Sequence, residues 1–194
     1  MAETWLTSDT HLGHDKVAQI RGFEDHREHD EHLAHRWDKR VSGDDEVWVL
    51  GDLAMNGWAD RIGWFTERPG VKHLVLGNHD RAHPMHRNSH KHLRTLLAIF
   101  ETVQTSASMR NGRLLLSHFP YDGEGVSRDA DKHERATQWR LRDEGVPLLH
   151  GHVHDTITGR LSLRRTPMLH VGPDAWDLAP VTLHDALKSL DVAA

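Results

Sequence analysis

Five short segments place oxygen and nitrogen donors at the ends of apolar runs. Asp9 and His11 follow Thr4–Ser8, Gly51-Asp52 follows Glu46–Leu50, and Gly77-Asn78-His79-Asp80 follows Lys72–Leu76. Further on, Leu114-Leu115-Leu116 runs into Ser117-His118, and Leu148-Leu149 into His150-Gly151-His152-Val153-His154. Ligands of open α/β sheets gather outside the carboxyl ends of the strands. The five segments are therefore expected to deliver carboxylate, carboxamide and imidazole to one edge. Glycine beside Asp52, Asn78 and His152 lets the backbone turn tightly and come close to an ion. Mixed nitrogen and oxygen donors without thiolate suit manganese, iron, zinc, nickel or cobalt, and this much imidazole argues against magnesium or calcium. The donors exceed the needs of one ion. Asp52, lying between the two groups, is placed to bridge a pair, and two ions about 3.5–4 Å apart form a clamp for in-line displacement at phosphorus. One ion would generate hydroxide, both would neutralise phosphoryl oxygens, and a nearby histidine would protonate the departing oxygen.

The rest of the composition narrows the setting. The chain has 194 residues, 37% hydrophobic and 27% charged, which is prior evidence for one domain over 1–194 and against a disordered chain or fibre. No window reaches the roughly 18 unbroken apolar residues of a membrane span, and Met1-Ala2-Glu3-Thr4 lacks a signal-peptide layout. A soluble, cytoplasmic protein is expected. Cysteine is absent, so there is neither a disulfide framework nor a thiolate ligand. A net charge of −5 argues against a protein that coats nucleic acid.

There are 19 histidines, and position has to sort them. His26, His29, His32 and His35 recur every three residues, a spacing that drifts around a helix, and read as solvated surface. His83, His86, His90 and His92 read the same way. His150 and His170 read as partly buried, hydrogen-bonded imidazoles. Trp5, Trp37, Trp48, Trp64 and Trp139 read as core, and Arg160, Arg164 and Arg165 as surface.

The elements that must position the donors follow from periodicity. Thr4–Ser8, Glu46–Leu50 and Lys72–Leu76 are predicted strands. The helix predicted over Arg27–Val41 has Leu33, Trp37 and Val41 on one stripe, and a second covers Asp60–Glu67 before the Pro69-Gly70 turn. This β-α-β-α-β pattern predicts a parallel sheet. Glu101–Met109 and Arg113–Ser117 read as a hairpin about Asn111-Gly112. Lys132–Glu144 reads as a helix with Ala136, Trp139 and Arg140 inward. Pro147–His150, Gly159–Arg164 and Thr166–Val171 read as strands. Thr182 is expected to cap a last helix, with Asp185 three residues on and Leu183, Leu187 and Leu190 facing inward. The fold class is α/β, with two sheets placed face to face.

Asp9-x-His11, Gly51-Asp52, Gly77-Asn78-His79-Asp80, His118 and Gly151-His152-x-His154, in this order, resemble the calcineurin-like metallophosphoesterases. The resemblance covers Leu6 to His154. It extends to Val171-Gly172-Pro173-Asp174-Ala175-Trp176 and Pro180-Val181, which look like the short bacterial and bacteriophage members. It implies a four-layer α-β-β-α sandwich, with two mixed sheets and flanking helices. It assigns one ion to Asp9, His11, Asp52 and His154, and another to Asp52, Asn78, His118 and His152. Manganese is the first expectation for the pair, with iron, zinc, nickel or cobalt as alternatives. His79 is implied as general acid or phosphate contact, Asp80 as its orienting partner, and His14 as a substrate-facing residue.

The implied activity is hydrolysis of phosphodiester bonds by metal-bound hydroxide, in small nucleotide substrates such as 2′,3′-cyclic nucleotides. His118 and His152 lie only 34 positions apart, room for a short excursion but no long lid. No arginine matches the phosphate clamp of the protein Ser/Thr phosphatase branch. The implied partner is a small phosphorylated molecule, with no extended nucleic-acid binding and no membrane. A phosphomonoesterase, a nuclease and a non-catalytic metal-dependent scaffold are the alternatives. The nuclease lacks an extended basic groove, and the scaffold usually loses Asn78, His79 or a metal histidine, all of which are present.

Overall fold

The computed structural model describes residues 2–110, 112–124 and 136–193. Its strands are β1 (Thr4–Thr7), β2 (Glu46–Val49), β3 (Val71–Val75), β4 (Thr102–Gln104), β5 (Ser106–Met109), β6 (Leu114–Ser117), β7 (Leu148–His150), β8 (Gly159–Leu161), β9 (Pro167–His170) and β10 (Val181–Thr182). They form two mixed five-stranded sheets, ordered β10-β1-β2-β3-β4 and β5-β6-β7-β9-β8. In the first, β1 to β4 are parallel and β10 closes the edge of β1 antiparallel. In the second, β6, β7 and β9 are parallel and the outer strands antiparallel. The carboxyl ends of β1, β2 and β3 therefore share one edge.

The helices are α1 (Asp15–Ile20), α2 (His26–Asp38), α3 (Trp58–Arg61, continued by a 3₁₀ turn over Ile62–Glu67), α4 (Leu93–Leu97) and α5 (Leu183–Ala193). Asp25 starts α2 by accepting the backbone N–H groups of Arg27 and Glu28. Thr182 caps α5 as expected, its Oγ accepting Asp185 N–H at 3.1 Å. Among the described residues no helix is long and apolar enough to cross a membrane.

Strand alternation divides the core. Val47, Val49, Leu74 and Leu76 pack with Leu33, Trp37, Ile62, Phe65 and Phe100 on the helical side of the first sheet. Leu6, Leu50 and Val75 point the other way and meet Leu114, Leu116, Leu149 and Leu169 of the second sheet. Ala186 and Leu190 of α5 join that second cluster. A run such as Glu46–Leu50 is apolar on both faces because each face meets a different layer.

Two expectations change. Glu101–Met109 is not one arm of a hairpin. Its first part, β4, pairs in parallel with β3, and after Thr105 the chain crosses to the second sheet as β5. Only β5 and β6 form the hairpin, with Gly112 at φ +79° in the turn. Of the helix expected over Lys132–Glu144, residues 132–135 lie outside the described residues, and beyond them only Thr137–Trp139 turns, as a 3₁₀ helix. Asp143 shows why. Its carboxylate accepts Gly145 N–H and the hydroxyls of Ser162 and Thr166, contacts that compete with helix continuation.

Candidate metal centre

The loops carrying the donors are laced together. Asp9 N–H donates to Gly51 O at 2.8 Å, His11 N–H to Asp52 O at 3.0 Å, and Gly151 N–H to His118 O at 3.0 Å. Asp9 Oδ2 accepts His152 N–H at 2.9 Å. Asp9, His11, Asp52, His152 and His154 all hold positive φ, between 45° and 72°. That region costs a non-glycine residue on the order of 1 kcal/mol, and it persists where surrounding bonds over-determine it. Closeness of the loops explains two glycines. A Cβ on Gly51, at φ +86°, would lie 2.3 Å from Gly77 N, and one on Gly77 would lie 2.3 Å from Asp52 Oδ1.

Asp9, His11, Asp52 and His154 each offer a donor atom within 4.8 Å of the others. His11 Nε2 and His154 Nε2 are 2.9 Å apart, His154 Nε2 is 3.3 Å from Asp9 Oδ1, and His11 Nε2 is 3.5 Å from Asp52 Oδ2. Asp9 Oδ1 and His11 Nδ1 are buried and unpartnered among the described residues. On the other side of Asp52, Oδ2 is 3.4 Å from His118 Nε2, which is 3.1 Å from Asn78 Oδ1. His118 Nδ1–H donates to Leu50 O at 2.7 Å, so the neutral ring turns its Nε2 lone pair toward two oxygens. A lone pair facing two acceptors calls for a proton or a cation between them. One oxygen, Asp52 Oδ2, thus sits at nearly equal distance from a nitrogen of each histidine group. Carboxylate, carboxamide and imidazole donors of this kind fit a divalent transition metal.

The titration behaviour follows from buried charge. Burial would raise the Asp9 carboxyl, but the neighbouring His154, with His118 and His11, holds it well below its ordinary value. Burial raises Asp52, and the adjacent Asp9 adds to it against the pull of His118. Burial and then His154 drive His11 well down, and burial pushes His152 down to about 4. For His118 burial is outweighed by Asp52 and Asp9, which draw a proton onto the ring. A divalent cation would answer the same field.

The three remaining expected residues separate. His79 lies at the mouth, 41% exposed at its side chain, with Nε2 3.9 Å from Asp52 Oδ2 and its ring 5.4 Å from that of His11. His14 is half-buried, its ring 5.9 Å from His11. Burial lowers both imidazoles, helped by His118 at His79 and by His79 at His14. Asp80 corrects the expectation of a partner for the His79 ring. It is fully buried and accepts the backbone N–H groups of Asp52, Leu53 and Gly77, at 3.0, 3.0 and 2.8 Å. It fixes the loops, and burial and the Asp52 charge push its carboxyl up to about 6.

Several supporting residues escape sequence reasoning. Arg21, closing α1, grips Asp174 with two bonds, Nε to Oδ1 at 2.9 Å and Nη2 to Oδ2 at 2.7 Å. Arg21 Nη2 also donates to Asp9 O, and Nη1 to His29 Nε2 at 3.0 Å. His29 Nδ1–H donates to Asp30, whose other oxygen accepts Gly13 N–H. Asp174 Oδ2 lies 3.8 Å from His154 Nδ1. Glu124 Oε2 lies 3.1 Å from His152 Nε2. Asp174 falls in the Val171–Trp176 stretch, whereas Arg21 and Glu124 carry no local signal.

The histidine strips need correction too. His29 is buried rather than solvated, because it shares the inner stripe of Leu33 and Trp37. His26 is half-buried between Asp15 and Arg61, and His32 packs on Phe23. His83 is buried against Phe119 and Trp139, burial taking it down to about 4. His86 and His90 are exposed as expected. His150 donates to Gly151 O, while both ring nitrogens of the buried His170 are unpartnered among the described residues.

No protein-family model matches the chain. It is 44% identical over 192 residues to the Gene 66 protein of Mycobacterium phage D29, covering 93% of each chain. It is equally identical over 189 residues to the Gene 66 protein of Mycobacterium phage L5, covering 91% of this chain and 88% of that one. Among solved structures, the crystal structure of the protein of unknown function AQ665 from Aquifex aeolicus superposes with a TM-score of 0.64 at 20% identity, over 97% of this chain and 99% of that one. That likeness concerns the fold alone.

Proposed function

We propose that this chain, which belongs to the family of the mycobacteriophage Gene 66 proteins, is a dinuclear metal-dependent phosphodiesterase of the calcineurin-like metallophosphoesterase kind. Its substrates are small nucleotide diesters, 2′,3′-cyclic nucleotides among them, and it works in the cytoplasm. The observation that carries this reading is Asp52 Oδ2, 3.5 Å from His11 Nε2 and 3.4 Å from His118 Nε2. An oxygen so placed suits a bridge between two ions. Asp9, His11, Asp52 and His154 would hold one, and Asp52, Asn78, His118 and His152 the other, with manganese the first choice. Bound there, two such ions would supply a water of lowered pKa and neutralise phosphoryl charge.

The chain's own residues do the rest. Asp80 and the interlocked loops keep the donors at fixed separation before substrate arrives. His79 stands beside the bridge with its ring partly open, so it can hold a proton at Nε2 for the departing oxygen. An anionic phosphate seated next to that ring restores the proton affinity that burial removes. The four-layer α-β-β-α arrangement belongs to the same reading, and the apolar cluster shared by both sheets supports its two inner layers.

The test uses metal-free protein reloaded separately with Mn²⁺, Ni²⁺ and Co²⁺. It should hydrolyse bis-nitrophenyl phosphate and 2′,3′-cyclic nucleotides faster than nitrophenyl phosphate. Asp52→Ala should bind neither ion and lose all turnover. His79→Ala should keep both ions while the rate falls on the order of 10²–10⁴-fold. Faster cleavage of the monoester with all three metals would overturn the diester reading. Full turnover by Asp52→Ala would overturn the site.

A further inference from the structure

We propose that Glu124 is a positioning residue for the second ion, selecting the tautomer of His152 whose Nδ1 is the ligand nitrogen. This rests on the two-ion reading above. A carboxylate can only accept, so in the neutral ring the nitrogen 3.1 Å from Glu124 Oε2 is the protonated one, Nε2. The lone pair is then on Nδ1. Glu124 is itself held: its side chain is 13% exposed, and Oε1 pairs with the buried Arg140 guanidinium, which also donates to Gly123 O at 3.0 Å. Phe119 meets the His152 ring edge to face at 5.1 Å between centroids, which limits its rotation.

The comparison with His118 is direct. There Leu50 O takes Nδ1–H and leaves the Nε2 lone pair facing Asp52 and Asn78. His118 and His152, 5.2 Å apart ring to ring, are thus set in opposite tautomers by different oxygens. Partners on the far nitrogen of a ligating histidine fix its orientation and raise its basicity, and their loss weakens metal binding about 10–100-fold. The sequence places Glu124 in the span between His118 and His152, with no motif around it.

The test titrates metal-free, full-length protein with Mn²⁺ by calorimetry, and reads the His152 tautomer in long-range ¹⁵N–¹H spectra. Wild type should bind two ions and show His152 as Nε2–H. Glu124→Ala should weaken one ion about 10–100-fold, leave the other unchanged and mix the tautomers. Glu124→Gln should fall between them, because one amide oxygen cannot serve both His152 and Arg140. Unchanged binding of two ions by Glu124→Ala would overturn the role of Glu124 alone. Equal weakening of both ions, with a lowered Tm, would reassign Glu124 to fold stability and overturn it too. A single ion in wild type would overturn the two-ion reading and the proposal with it.

Discussion

Replacing Arg21 by Met should be among the costliest single changes behind the centre. Its guanidinium is 2% exposed and the Asp174 carboxylate facing it 12%. Truncation leaves a nearly buried carboxylate without its cation, which costs about 3–5 kcal/mol. It also removes the donor from Asp9 O, worth on the order of 1 kcal/mol. A total of about 4–6 kcal/mol corresponds to a fall in Tm of roughly 8–24 °C for a chain of this length. The deficit should depend on pH in a set direction. In wild type, burial would raise the Asp174 carboxyl but Arg21 holds it below its ordinary value. The pair therefore adds stability above the unfolded carboxyl pKa of about 3.9 and loses it as pH falls through the folded value. Without Arg21 burial is the largest remaining influence, ahead of the opposing pull of His154, and protonation relieves the stranded charge. The gap between wild type and variant should be widest near neutral pH and shrink toward pH 4. The double variant Arg21→Met/Asp174→Leu should recover at least half of the loss, since a matched apolar pair strands nothing. Urea titrations of metal-free protein from pH 4 to 7.5 read all three quantities. A deficit below about 1 kcal/mol, or one that does not vary with pH, would refute the reasoning.

Two further outcomes follow from the packing of buried groups. With His83 at about 4 against an ordinary 6.5, the unfolded chain binds the extra proton between those values, so stability is full above 6.5 and falls as pH drops toward 4. Wild type should lose about 2–3 kcal/mol more than His83→Phe between pH 7.5 and 4.5 in urea titrations; parallel curves would contradict this. Gly51→Ala would force a Cβ against the Gly77 backbone at positive φ and should cost more than about 2 kcal/mol by thermal melting, whereas Gly43→Ala, with open space around it, should stay within about 0.5 kcal/mol. Similar melting temperatures for the two alanine variants would remove the steric argument.

What the sequence reveals depends on how local the cause is. Asp9, Asp52, Asn78, His118 and His154 are legible because a strand must end where its apolar run ends, and the next residues must face that edge. Parallel pairing then gathers them at one edge within each sheet, and the packing of the two sheets brings the two sets together. The passage from β4 to β5 is not legible: alternation continues through Thr105, and nothing nearby says which sheet each half joins. Asp80 was readable as an acid beside His79, but its three amide partners lie on two loops that only the fold brings together. Arg21 is 153 positions from Asp174, so no window contains both. His29 is different, since a four-residue spacing to Leu33 and Trp37 was there to be read. The drift argument for the strip holds on average, and it also guarantees that one member turns inward.

The return of Val181–Thr182 to the first sheet sets an order of events. Strand β1 has β2 on one side and only the two-residue β10 on the other. Until residues 181–182 leave the ribosome, that flank of the nascent polypeptide presents unsatisfied amides and carbonyls, a template for wrong pairings. The same late stretch brings Asp174, the anchor behind His154. The donors contributed early in translation therefore wait for residues 174–182, with Asp174 bound to Arg21 and β10 paired with β1, before their surroundings are complete.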